Sequence, residues 1–147
     1  MILPVILSLV VALPFQGSDK LTSVRAYVFT DTTARGTPSV DEQGRVEAVR
    51  ELKAELSKKK GISLVDRRED ANLFVEVTGR ELHDESEGPF GGKKITSLGD
   101  SIIRFRISSG GEESELKGMG QGASSHAAKD AADRIVKWIA RREPPHK

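Results

Sequence analysis

The sequence contains no cysteine, only three histidines and few aromatic side chains. Without cysteine, it has no disulfide, no thiolate metal site, no cysteine nucleophile and no lipidated N-terminal cysteine. The histidines at positions 83, 126 and 146 are too scattered to predict a histidine-rich metal site. Aromatic residues make up 5%, so the stacking platform of a single-strand nucleic-acid binder is also missing. This composition predicts no metal ion and no cofactor.

An excess of charge of either sign is absent as well. The 23 Lys and Arg nearly cancel the 22 Asp and Glu, which leaves a net charge of +1. No global field therefore draws the chain to nucleic acid or to an anionic membrane, and we expect no nucleic-acid partner. The 147 residues fit one domain of ordinary size, and 37% hydrophobic residues suffice for a modest core.

The longest apolar run lies at the N-terminus, where Met1 to Phe15 carry no charged side chain. At about 1.5 Å per residue this run is too short to cross a hydrocarbon layer of about 30 Å, but it matches the apolar region of a signal peptide. We therefore interpret 1–17 as a signal peptide and 18–147 as one exported domain, periplasmic or extracellular, without a transmembrane span. An uncleaved anchor and a buried first strand are the alternatives. Residues before Gln16 are expected to lie outside the core.

The first predicted helix has clear start and stop signals. Ser39 is followed three residues later by Glu42, which is the spacing of a capping box. Lysines 58–60 suit the negative end of the helix dipole, and Gly61 suits the position after the last turn. The apolar stripe of this helix is predicted at Val46, Val49, Leu52 and Leu56.

Alternating apolar residues predict five strands around this helix, and a second amphipathic helix follows them. The segment 82–99 is rich in Gly and Pro and is expected to be a mobile loop. Gly110 and Gly111 predict a hairpin turn. The strands are predicted at 23–30, 62–65, 72–81, 101–108 and 113–117, and the second helix at 125–142.

The element order β-α-β-β-β-β-α predicts an α+β two-layer sandwich. One mostly antiparallel sheet of four or five strands should carry both helices on one face. The predicted common core consists of Val28, Val49, Leu52, Leu56, Val75, Val77, Phe105, Ile135 and Ile139.

A glycine-rich segment before the second helix is a candidate anion-binding site. Glycines there let backbone N–H groups approach an anion at a helix N-terminus. The spacing is not that of a dinucleotide-binding loop, so a flexible connection capped by a serine is the alternative. The candidate residues are Gly118, Gly120, Gly122, Ser124 and Ser125.

His126 carries the only hypothesis of catalysis. It lies one turn before Asp130 on the predicted helix, next to possible oxyanion donors in the glycine-rich segment. No nucleophile elbow or zinc-binding spacing accompanies it. We therefore expect no catalytic residue, and keep a small hydrolase or an anion-binding enzyme as the alternative.

Three short blocks resemble bacterial envelope-assembly modules. They are Tyr27–Asp31 (YVFTD), Gly61–Arg67 (GISLVDR) and Ala71–Gly79 (ANLFVEVTG). They look like the periplasmic α/β domains of the curli-secretion and penicillin-binding-protein-activator type, which show a strand ending in Phe-x-Asp, a Val-Asp-Arg strand end and an Ala-Asp-x-x-Val-x-Gly strand. This chain has Asn72 where Asp is usual, and lacks the lipidated cysteine. The resemblance implies a related non-catalytic fold and transfers no functional residue.

Together, these observations predict an exported binding or assembly module of the bacterial cell envelope. Its expected partner is another envelope protein.

Overall fold

The computed structural model describes residues 23–32, 39–83, 100–122 and 124–142. The predicted signal peptide at 1–17 lies outside these residues, as does nearly all of the predicted loop at 82–99. The elements are β1 (Val24–Phe29), α1 (Val40–Leu56), β2 (Ile62–Leu64), a 3-10 turn (Arg68–Asp70), β3 (Leu73–His83), β4 (Asp100–Ser109), β5 (Glu112–Gln121) and α2 (Ser124–Arg142).

The five strands form one sheet in the order β2-β1-β3-β4-β5, and two helices pack on it. The α+β sandwich is therefore confirmed, but the sheet is mixed rather than mostly antiparallel. β1 is parallel to both of its neighbours, whereas β3-β4 and β4-β5 are antiparallel.

The connection at 65–72 explains the mixed sheet. β2 pairs with the first half of β1 and β3 with the second half, and both reach the level of Ala26. The chain leaves β2 at Leu64, crosses β1 and enters β3 at Leu73, so it never turns back as a hairpin would. Sequence periodicity reports strands but not their partners, and the prediction of a mostly antiparallel sheet was wrong for this reason.

Helix α1 begins as the capping signal predicts, since the Ser39 hydroxyl accepts a hydrogen bond from the Glu42 N–H at 3.2 Å. Leu52 and Leu56 are fully buried, but Val46 is 49% exposed, and Ala48 is buried instead. The predicted core is confirmed except that Val49 and Ile139 are only partly buried.

The C-terminal end of α2 contacts the turn between β4 and β5. The Arg142 Nε donates to the Glu112 carboxylate at 2.6 Å, and its guanidinium lies 4.5 Å from the centre of the Trp138 ring. The turn itself is the predicted one, because Gly110 and Gly111 have positive φ angles of 57° and 84°. These contacts hold α2 along the edge strand β5, where the candidate site residues lie.

Candidate functional site

The glycine-rich segment is part of a strand. β5 was predicted to end at Lys117 but runs to Gln121, so Gly118 and Gly120 lie inside it. Gly122 follows the strand with a positive φ of 86°, which favours glycine. Ser125 lies in the first turn of α2 and is exposed. Of the five predicted anion-binding residues, Gly122, Ser124 and Ser125 therefore lie at the junction of β5 and α2. The other two, Gly118 and Gly120, lie in β5 beneath α2.

Both strand glycines are in close contact with α2. A Cβ atom on Gly118 would lie 2.4 Å from the carbonyl oxygen of Ala127 and 2.6 Å from the Cβ of Ala131. A Cβ on Gly120 would lie 2.4 Å from the Ala127 nitrogen. Real atoms do not approach so closely, so glycine at these positions allows the helix to rest on the strand backbone. This packing supplies a structural reason for both glycines.

The anion-binding site stays a prediction, and the packing of α2 on β5 restricts the side from which an anion could approach. The face of Gly118 and Gly120 toward α2 is filled by helix atoms, which leaves no room for a ligand there. Any anion would have to approach from the loop at Gly122 and from Ser125 in the first helical turn.

Two side chains of α2 satisfy backbone groups on the outer side of β5. The Asp130 carboxylate accepts a hydrogen bond from the Met119 N–H at 2.9 Å. The Nδ1 of His126 lies 2.7 Å from the Gln121 carbonyl oxygen. β5 is an edge strand, whose outward N–H and C=O groups would otherwise be open to pairing with another chain. The helix therefore protects this end of the edge.

The same contacts bear on the hypothesis that His126 acts as a base. A carbonyl oxygen only accepts, so the Nδ1 of His126 must donate, and in the neutral ring the exposed Nε2 carries the lone pair. Asp130 contacts Arg134 and the Met119 N–H, so its contacts serve the strand edge and the helix rather than an acid-base pair with His126. Their shared helix face, predicted from the spacing of four residues, serves to cap the strand.

The environment of Asp130 lowers the pKa of its carboxyl group. Burial alone would raise this pKa, but hydrogen bonds from Arg134 and from the Met119 N–H, together with the charges of Arg134 and Lys137, outweigh it. The ionised form is thus favoured in the folded protein.

Acidification should therefore remove a stabilising contribution of Asp130. Because the folded-state pKa lies below the ordinary value of 3.8, this contribution is complete above that value and is lost as the pH falls through the folded pKa. Asp130→Asn should be less stable than wild type at neutral pH, and the gap should narrow in strong acid. The urea midpoints of both proteins, measured from neutral pH to strong acid, give this difference in stability. A difference that does not change with pH would contradict a lowered pKa of Asp130.

The sheet face opposite the helices carries a cluster that the sequence analysis did not predict. Tyr27 and Phe29 stack with ring centres 5.2 Å apart. The Arg68 guanidinium lies 5.4 Å from the centres of both the Phe29 and the Phe74 rings. All three rings are partly exposed. We call Tyr27, Phe29, Phe74 and Arg68 the aromatic surface.

Beside the aromatic surface, the same face carries alternating charges. Arg104 contacts Glu81 at 2.7 Å, and the hydrogen bond and charge of this glutamate raise the pKa of the guanidinium. Arg106 contacts Glu76, Glu113 and Glu115 at 3.2 to 3.5 Å. Its pKa is raised by the hydrogen bond that it donates to Glu115 and by the charges of Glu113 and Glu76. Each of these two arginines is therefore paired with at least one glutamate.

No protein-family model and no curated protein matches this chain. In the four described ranges, no cluster of three or more His, Asp or Glu side chains could hold a metal ion, and no helix is long and apolar enough to cross a membrane.

One signal in the sequence pointed to the aromatic surface. The alternation in β1 places Tyr27 and Phe29 on the face opposite Val28, so both faces of the strand are largely apolar, which indicates a strand inside the sheet. The structure shows Val28 in the core and the two rings partly exposed on the other side. The partner ring from Phe74 and the cation of Arg68 come together only through the crossing connection between β2 and β3.

Proposed function

We propose that this chain is a non-catalytic binding module of the bacterial cell envelope and that it binds another envelope protein. The observation that carries the proposal is the aromatic surface. Tyrosine, phenylalanine and arginine are side chains enriched in protein interfaces, and the three rings here are partly exposed.

The arrangement of the helices supports this choice of face. Both helices pack on one side of the sheet and also contact each other, so their apolar faces are used inside the domain. On the opposite side, Arg68 of the connection between β2 and β3 contacts the rings of Phe29 and Phe74, and all three rings of the aromatic surface stay partly exposed. A partner can therefore reach the rings without unfolding the domain.

The location in the envelope rests on the sequence. The apolar segment at 1–15 matches the length of a signal-peptide core, and the three blocks that resemble envelope-assembly modules include the strands β1 and β3 that hold the rings. The charged part of the same face suits the polar rim of an interface.

Site-specific photo-cross-linking in a bacterial host tests the proposal. A photoreactive phenylalanine analogue at Tyr27 should produce discrete protein adducts in the periplasmic or envelope fraction, because its side chain would lie inside the interface. The matched control carries the analogue at Val40, which is 84% exposed on α1 on the other side of the sheet. Adducts of equal yield from both positions, none from Tyr27, or a protein that stays in the cytoplasm would contradict the proposal.

A further inference from the structure

A polar cleft of about 280 Å³ opens where β1 ends. It is lined by Thr30 and Asp31 at the end of β1, by Arg45 of α1, and by a stretch of β3, 76–78. The pairing of β3 with β4 shifts between Val77 and Gly79, so the strand has a bulge beside the cleft. Bulges are frequent next to functional sites, and ligands of open α/β sheets bind beyond the carboxyl ends of parallel strands.

The Arg45 guanidinium is held in this cleft by neutral groups. Its Nε donates to the Thr30 hydroxyl at 3.2 Å, and that hydroxyl donates to the Val77 carbonyl oxygen at 2.8 Å. A second nitrogen, Nη2, lies 3.5 Å from the Asp31 carbonyl oxygen. Among the described residues, no carboxylate pairs with Arg45, in contrast to Arg104 and Arg106 on the sheet.

The cleft also offers acceptors for a cation. The Asp31 side chain is exposed and forms no ion pair within the described ranges, although its carbonyl oxygen contacts Arg45. Glu76 lines the same cleft and contacts Arg106 at 3.5 Å. The exposed hydroxyl of Thr78 can donate or accept a hydrogen bond. A simple anion would meet Arg45 but would leave the carboxylate of Asp31 without a cation.

We propose that this cleft binds a small zwitterion of the α-amino acid class. The ligand carboxylate pairs with Arg45, whose planar guanidinium suits two parallel hydrogen bonds, and the ligand ammonium faces Asp31. The volume lies just below the range of about 300–1,000 Å³ that is typical of drug-sized ligands, which suits a molecule of a few heavy atoms. This site is separate from the aromatic surface, and neither proposal depends on the other.

Titrations of the full chain, followed by NMR of backbone amides and arginine Nε–H groups, test the site with three probes: L-alanine, acetate and methylammonium. We expect saturable shifts with L-alanine at Thr30, Thr78 and the Arg45 Nε–H. Acetate and methylammonium should each bind at least about tenfold more weakly, because each lacks one of the two charged contacts.

Two variants and one control separate the contributions. Arg45→Gln should weaken L-alanine binding by about tenfold or more, whereas Arg50→Gln, on the same helix but paired with Glu47, should leave it unchanged. Asp31→Asn is at an exposed position and should weaken L-alanine but not acetate. The proposal is overturned if L-alanine gives no saturable shift, if acetate binds as tightly as L-alanine, or if Arg45→Gln binds like wild type.

Discussion

Replacing Gly118 by alanine should destabilise the protein by about 3 kcal/mol, at the upper end of the usual cost of overpacking. The added methyl group would lie 2.4 Å from the Ala127 carbonyl oxygen and 2.7 Å from the Ala131 nitrogen. Both are backbone atoms of α2, so no side-chain rotation relieves the clash and the helix must move away. That movement would loosen a row of fully buried alanines, and the urea midpoint of unfolding measures the loss.

Gly44→Ala is the matched control because it makes the same chemical change within α1. A Cβ there would lie 3.7 Å from the Arg80 side chain, an ordinary contact. Alanine is favoured over glycine inside a helix, so this variant should be about 0.5–1 kcal/mol more stable than wild type. Equal midpoints for the Gly118 and Gly44 variants would mean that α2 does not rest on the backbone of β5.

Leu52→Ala should cost about 2–5 kcal/mol, the range for removing a leucine from a packed core. Leu52 is fully buried in the middle of α1 and belongs to the same core as Val75 and Phe105. The lost side chain would leave a cavity between the helix and the sheet. Chemical denaturation of wild type and variant gives the difference in the free energy of unfolding.

Val46→Ala provides the comparison on the same helix. Val46 is 49% exposed, so truncating it removes little buried area and should cost less than about 0.5 kcal/mol. A loss below that value for Leu52→Ala, or a similar loss for both variants, would show that the buried side of α1 is misassigned.

Most elements of the fold follow from local patterns in the sequence. Ser39 and Glu42 mark the start of α1, and Gly110 and Gly111 mark the turn between β4 and β5. Alternation of apolar residues located the strands, since it reflects the face that each side chain occupies within one strand. The parallel pairing of β1 could not be found this way, because it depends on where the connection at 65–72 crosses.

Spacing along the sequence accounts for only some of the charge pairs made by residues of the two helices and their ends. Asp130 does contact Arg134, as the spacing of four residues predicts. Lys59, which follows the end of α1, contacts Asp133 of α2, whereas Glu55 of α1 pairs with Lys58. The spacing of residues in the sequence shows which charged partners are available within one helix. The packing of α1 against α2 then brings a carboxylate of the second helix within reach.

At the candidate site, too, the sequence indicated some features and only the tertiary structure decided the others. The sequence alone marked Gly118 and Gly120 as unusual and placed His126 and Asp130 on one helix face. Only the packing of α2 on β5 shows that the glycines make room for helix backbone and that the two side chains cap a strand edge.

Local sequence therefore decides which segments become helices and strands and which of their faces are apolar, because these properties depend on residues a few positions apart. The tertiary structure decides which strands pair, where Phe74 and Arg68 meet Tyr27 and Phe29, and how Arg45 reaches the end of β1. The two hydrogen bonds of the Thr30 hydroxyl, for example, join it to residues 15 and 47 positions away in the chain, and no short-range pattern specifies them.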